Sequence, residues 1–318
     1  MIDLWTGDCL ALLPKLADDS VDLVVTSPPY ENRRTYGISF DRAGEEWVDW
    51  MGDVCRQLGR VCKGLIAIVC QGKTLDYRWS ATPMLLAADL HRAGFNLRNP
   101  CIFHRVGIPG SGGPDWLRGD TEFILCITRP GKLPFSDNTA LGHPPKWAPG
   151  GEMSHRLTDG ERRNQWGMKS DRGDGARRAN GTRQYKGRPS HKHTTKREQK
   201  KVIAGYKNGD TSCEGTYTPP AVANPGNLIH CDVGGNLMGD RLCHRNEAPY
   251  PEKLCEFFVL SFCPPEGLVL DPFAGSGTTL AVARQWNRNA LGIDIRPDQV
   301  AIAKRRLGRL TPFFPSFS

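Results

Sequence analysis

Nowhere in the 318 residues does an apolar run approach the roughly 18 needed to span a bilayer, which excludes a helical membrane crossing. At the N-terminus no basic segment precedes an apolar stretch, and Asp3 and Asp8 break the hydrophobic residues up, so no secretory leader is read and a cytoplasmic chain is expected. No two of the eleven cysteines form a Cys-x-x-Cys pair, the usual mark of zinc ribbons and thiol redox centres. Most stand inside apolar segments such as 66–70 and 123–127, as buried reduced thiols do. One group has metal-ligating chemistry: Cys213, His230, Cys231, Cys243 and His244. Its spacings match no common zinc pattern, and no metal is expected.

Excess positive charge is also missing from most of the chain. The formal net charge is +8, yet residues 151–210 hold 16 Lys and Arg against 7 Asp and Glu, leaving 26 basic and 27 acidic residues elsewhere. Trp166, Tyr185, His191, His193 and Tyr206 are interleaved with that basic run, a mixture suited to phosphate neutralisation and base contact. Helical and strand periods are absent from about 132 to 236, where Gly, Pro, Asn, Ser, Arg and Lys dominate. A three-part organisation follows: 1–131 and 237–318 as two parts of one domain, and 132–236 as a basic inserted module.

What is present outside the insertion is an α/β pattern. Seven apolar runs of strand length, at 2–5, 21–26, 65–70, 99–104, 123–128, 267–271 and 290–294, predict a seven-stranded sheet. Trp47, Met51, Val54, Leu58 and Val61 recur at steps of four and three, which places them on one face of a helix. A second helix is predicted to start at Ser80 and bury Leu86, Leu90 and Ala93; a third has Pro297 at its first position and buries Val300, Ala303 and Leu307. Strands apolar on both faces, alternating with helices, predict a mostly parallel sheet covered on both sides.

Three segments carry chemistry. In the first, the strand Val21-Asp22-Leu23-Val24-Val25-Thr26 runs into Ser27-Pro28-Pro29-Tyr30. Ligands of open α/β sheets bind at the carboxyl ends of strands, so this tetrapeptide is placed to face a substrate. The Ser27 hydroxyl and the Pro28 carbonyl suit the two hydrogens of an amino group, and Tyr30 suits stacking on a base. A structural Pro-Pro turn is the plain alternative. In the second, Leu268-Val269-Leu270-Asp271 leads through Pro272-Phe273-Ala274-Gly275-Ser276-Gly277-Thr278 into a helical pattern, a glycine loop that lets backbone approach a ligand. A Walker loop needs Lys where Thr278 stands, and a dinucleotide fingerprint needs Gly where Leu280 stands. The ligand expected is therefore one without a polyphosphate. In the third, Asp294 ends the next strand, 23 residues after Asp271, where a carboxylate can accept both hydroxyls of a ribose.

By Thr26-Ser27-Pro28-Pro29-Tyr30 together with Asp271-Pro272-Phe273-Ala274-Gly275-Ser276-Gly277, the chain resembles the DNA amino-methyltransferases over roughly 1–130 and 240–310. Their order, with the basic module between them, looks like the beta class. The resemblance implies a Rossmann-like methyltransferase sheet with an inserted target-recognition domain, and S-adenosyl-L-methionine as cofactor. It makes Ser27, Pro28, Pro29 and Tyr30 catalytic, and Asp8, Asp271, Phe273, Ala274, Gly275, Ser276, Gly277, Thr278 and Asp294 cofactor-binding. Residues 244–254 look like the motif covering the methionine end of the cofactor, with Arg245-Asn246-Glu247 departing from its usual form around Pro249 and Tyr250. The activity implied is methylation of an exocyclic amino nitrogen in a flipped-out base of double-stranded DNA, with N4 of cytosine favoured over N6 of adenine by Ser27, since adenine enzymes usually carry Asp or Asn there. An inactive DNA-binding relative is the reading from another class. A cognate restriction endonuclease and a second copy of the chain in a homodimer are partners that the resemblance admits without selecting.

Overall fold

The aliphatic and β-branched runs pair into one nine-stranded sheet, in a computed structural model that describes residues 1–31, 40–107, 115–143, 222–233, 238–242 and 249–309. Two compact units divide the chain, one of residues 1–141 and 224–318 and the other of residues 142–223. All of the elements below belong to the first. Of the second, only 142, 143, 222 and 223 are described, with an antiparallel bridge between His143 and Ala223. The aromatic and basic residues singled out in the insertion, and the remaining metal candidates Cys213, Cys243 and His244, lie outside the described residues.

Five strands run parallel in the order β1 (Ile2–Thr6), β11 (Asn289–Asp294), β10 (Leu268–Asp271), β2 (Val21–Thr26) and β3 (Cys62–Cys70). Beyond β3, β8 (Thr121–Thr128) is antiparallel and pairs Phe123 with Cys70, and β7 (Cys101–Val106) is antiparallel to β8 with Phe103 opposite Glu122. The seven expected strands are all there. The other two are β6 (Asn96–Leu97) on β8 and β9 (Leu228–Asp232), which pairs parallel with β7. In β9 only Ile229 and Cys231 are buried, an alternation too short to stand out in a polar stretch. Because β9 belongs to the main sheet, the insertion expected at 132–236 includes one of its strands, and the compact units divide inside that range. A separate hairpin joins β4 (Thr74–Leu75) to β5 (Arg78–Trp79).

Period-two alternation sorts the central strands between two cores. On one face, Val24, Ile66, Ile68 and Leu270 pack under α2 (Glu45–Val61) and α3 (Thr82–Arg92); on the other, Leu23, Val25, Ala67, Val69 and Val269 pack under α4 (Glu252–Phe262), α5 (Thr278–Gln285) and α6 (Pro297–Arg309). All five predicted apolar positions of α2 are buried, as are Val300, Ala303 and Leu307 of α6. Helix α3 starts two residues later than expected, because the Ser80 side chain turns back to Glu31 and Lys73 and Ala81 is left-handed; Ala93 is its exposed C-cap, not a core residue. Among the described residues no helix is long and apolar enough to cross a membrane.

From β2 the chain crosses to β3, whereas from β10 it crosses the opposite way to β11. The adjacent pair β10 and β2 is thus the switch point of the sheet, where two divergent crossovers open a crevice at the carboxyl ends of the strands.

Candidate active site

That crevice is a cavity of about 660 Å³, within the roughly 300–1,000 Å³ of ligand pockets. The parallel strands deliver their carboxyl ends to it together: Asp8 after β1, Ser27, Pro28, Pro29 and Tyr30 after β2, Phe273, Ala274, Gly275 and Ser276 after β10, and Asp294 closing β11. Thr278 lines it as well. Two predicted ligand residues do not. Asp271 is fully buried beneath the cavity, and Gly277 is the N-cap of α5, left-handed at φ +79°, with its N–H on the Ala274 carbonyl.

In the glycine-loop half, backbone N–H groups fix the carboxylate at the end of β11. Asp294 Oδ2 accepts from Gly275 N at 2.7 Å and Oδ1 accepts from Arg296 N at 2.9 Å. Burial raises the Asp294 carboxyl above its ordinary value, against the pull of those two donors. Gly275 reaches this position through a left-handed φ of +49°. Asp8 serves also as the N-cap of the short helix α1 (Cys9–Leu12), accepting from Leu10 N at 2.9 Å. An aromatic wall completes this half: Phe273 lies 5.5 Å from Trp50, and Phe40 lies 5.1 Å from Trp50, centroid to centroid. A ring faced by aromatic side chains and a hydroxyl pair facing a fixed carboxylate are what a nucleoside requires.

Asp271 ties the two halves together from below. It accepts from Thr26 Oγ1 at 2.6 Å, from Phe273 N at 3.1 Å, from Thr279, and from the Tyr250 hydroxyl at 3.3 Å. Burial pushes its carboxyl up to about 6, although the hydrogen bonds from Thr26, Thr279 and Phe273 oppose it. The folded value therefore exceeds the unfolded one, and the associated stability is present below about pH 4 and is lost as pH rises to about 6, on the order of 3 kcal/mol. Unfolding free energies of the parent and of Asp271→Asn, measured by denaturant across that window, should converge or cross as pH rises, because only the parent carries this loss. Equal pH slopes would mean that water or a counter-charge reaches Asp271.

In the tetrapeptide half, Trp47 Nε1 of α2 donates to the Pro29 carbonyl at 2.8 Å and braces the turn. The Tyr30 hydroxyl donates to Glu122 Oε2 at 2.7 Å and receives a 3.4 Å contact from Ser27 Oγ. Burial first, and then Glu122, hold the Tyr30 phenol well above its ordinary range, so it stays a neutral donor. Arg105 Nη1 pairs with Glu122 Oε1 at 3.1 Å and Nη2 donates to the Gly119 carbonyl at 2.6 Å. Immediately after Tyr30, the buried Glu31 accepts from Gly44 N and Lys73 N and from the hydroxyls of Ser80 and Thr82. Burial raises its carboxyl, but these four donors outweigh that and leave it below the ordinary value.

Sequence reasoning singled out Phe273 but missed Glu31, Arg105, Glu122 and the aromatic partners Trp50 and Phe40. Glu31 alone left a local signal, an acidic residue directly after the tetrapeptide. Pro249 and Tyr250 do line the cavity, and the rest of the 244–254 segment before Pro249 lies outside the described residues. His230 and Cys231 alternate on β9, one exposed and one buried, so a single metal ion does not meet both.

Comparisons with known proteins place the chain in a sequence family and match its fold. Residues 21–305 match the sequence family described as DNA methylase, of the N6 and N4 methyltransferases. The Type II methyltransferase M.BglII of Bacillus subtilis is 27% identical over 314 residues, covering 94% of this chain and 67% of that protein. Among solved structures, a PvuII DNA methyltransferase described as cytosine-N4-specific superposes with a TM-score of 0.60 at 18% identity, covering 99% of this chain and 87% of that one. A putative DNA modification methylase of Thermus thermophilus, complexed with S-adenosyl-L-methionine, gives a TM-score of 0.54 at 23% identity, covering 99% and 96%.

Proposed function

The chain belongs to the N6/N4 DNA methylase family, and on that premise we propose that it transfers a methyl group from S-adenosylmethionine to the N4 amino nitrogen of a cytosine flipped out of duplex DNA. The observation that carries the reading is a cavity walled on one side by Ser27, Pro28, Pro29 and Tyr30 and on the other by the loop of Phe273, Ala274, Gly275 and Ser276. The residues fit the cofactor: Asp294 for the ribose, Phe273 as a wall of the pocket, Asp8 near the adenine, and Gly275 with Ser276 where backbone must come close. Bound there, S-adenosylmethionine supplies a sulfonium methyl group to a nucleophile.

The chain's own part is orientation. A target amino group sits inside base stacking, so the base must leave the duplex, at a cost of a few kcal/mol. Tyr30 offsets some of that by stacking. The Ser27 hydroxyl proton faces Tyr30, which leaves Ser27 Oγ to accept one amino hydrogen, and the Pro28 carbonyl accepts the other. Two such bonds localise the nitrogen lone pair and aim it, and the gain is one of proximity and orientation. Among the described residues, the cysteine that lines the cavity, Cys9, is held as a neutral thiol, burial pushing it up to about 12. The inserted module 132–236 is assigned the role of target recognition, its basic segment 151–210 supplying sequence-independent affinity for the phosphate backbone through counterion release.

Cytosine is preferred because Ser27, not an acidic or amide side chain, opens the tetrapeptide. DNA from cells that lack other methylation and express the protein should yield N4-methylcytosine when digested to nucleosides and analysed by mass spectrometry. Recovery of N6-methyladenine alone would overturn the base assignment within the family. Saturable S-adenosylmethionine binding without any methylated nucleoside would favour an inactive DNA-binding relative.

A further inference from the structure

On the functional reading above, we propose that Glu122 is a positioning residue that acts through Tyr30, accepting the proton released by the target amino group along the chain Ser27, Tyr30, Glu122. The donors of this chain point one way. Ser27 Oγ donates to the Tyr30 oxygen at 3.4 Å, and the Tyr30 hydroxyl donates to Glu122 Oε2 at 2.7 Å. All three residues line the cavity, and Glu122 is only 9% exposed. Its other oxygen, Oε1, is held by Arg105, itself anchored on the Gly119 carbonyl, so Oε2 stays aimed at Tyr30. Arg105 Nε is a buried donor without a partner on a residue that lines the cavity, so this end of the site also lacks an acceptor that a base edge would bring.

Chemistry requires such an acceptor. When the amino nitrogen's lone pair forms the bond to the methyl carbon, the carbon–sulfur bond breaks with its electron pair on sulfur, and the nitrogen is left cationic with two hydrogens. One N–H bond then breaks, its electron pair returning to nitrogen. That proton passes to Ser27 Oγ as the Ser27 proton moves to the Tyr30 oxygen and the Tyr30 proton moves to Glu122 Oε2. Ser27 and Tyr30 end as they began, and Glu122 ends as a neutral acid that returns its proton to water after product leaves. Positioned proton transfer of this kind contributes typically 100-fold or more.

Single-turnover transfer of tritiated methyl from S-adenosylmethionine to unmethylated bacteriophage DNA tests the chain, with cofactor and DNA affinities measured separately by calorimetry. Glu122→Gln and Tyr30→Phe should each slow transfer roughly 100-fold while both affinities stay within about twofold. The double variant should be no more than about threefold slower than either single one, since the same chain is broken once. Formate added to Glu122→Ala should restore rate, and chloride at the same ionic strength should not, an outcome that a purely structural Glu122 does not produce. Additive losses, a formate effect matched by chloride, or a Glu122→Gln rate within about threefold of the parent would overturn the relay. No label from the parent protein would overturn the functional reading and the relay together, whereas equal label from parent and Glu122→Gln overturns the relay alone.

Discussion

Gly275→Val is expected to bind S-adenosylmethionine 100- to 1,000-fold more weakly, by roughly 3–4 kcal/mol, in a protein that remains folded. Two effects add. At φ +49° a β-branched residue is strained by roughly 1–2 kcal/mol or more, so the loop moves to relieve it. Moving the loop withdraws the Gly275 N–H from Asp294 Oδ2, a 2.7 Å bond to a carboxylate worth roughly 1.5–3 kcal/mol, and frees the carboxylate proposed to hold the ribose. Titration calorimetry with a melting curve on the same sample checks both parts. Gly275→Asn, which tolerates the left-handed conformation, should lose much less. Undiminished affinity in a folded Gly275→Val protein would place the cofactor away from this loop.

Glu252→Ala should lower the unfolding free energy by about 3 kcal/mol, the low end of what breaking a buried ion pair costs. Its partner Arg306 has a side chain with no exposed surface, while that of Glu252 is 31% exposed. Removing the carboxylate leaves a guanidinium that water does not reach and whose Nε already lacks a partner. Arg306 Nη1 donates to Thr278 Oγ1 at 3.0 Å, so the pair also joins the starts of α4 and α5 below the cofactor loop. The reverse change, Arg306→Met, should cost less, because the stranded Glu252 rehydrates. Denaturant unfolding of the two variants gives the comparison; a loss below about 1 kcal/mol for Glu252→Ala would mean that the guanidinium finds another acceptor.

The relay and the Asp271 titration rest on contacts of a different kind from those that the sequence reading used. Ser27 and Tyr30 are three residues apart and announce themselves as one motif. Glu122 stands 92 residues beyond Tyr30, in a strand whose run of Phe123, Ile124, Leu125, Cys126 and Ile127 marks it as core and hides its polar first residues. Only the antiparallel register of β8 against β3, Phe123 opposite Cys70, turns Glu122 toward the ends of the parallel strands. Asp271 shows the opposite error. It was legible as part of a cofactor loop, yet its position at the last residue of a central strand buries it, and four neighbours consume its oxygens.

By itself the sequence determined what is encoded over a few residues: the alternation of apolar strands with amphipathic helices, the face of α2, the proline turn after β2 and the glycine loop after β10. Hydrophobic period, proline geometry and glycine freedom act over one to four residues, so their consequences need no knowledge of the rest of the chain. Tertiary structure decided which residues meet in the cavity and around the turn that walls it. That Asp294 is clamped by Gly275, that Glu31 gathers Gly44, Lys73, Ser80 and Thr82, and that Arg105 and Glu122 stand behind Tyr30 all depend on strand order and register. Those are chosen by the burial of whole faces, and no local pattern records which polar side chain that burial brings beside another.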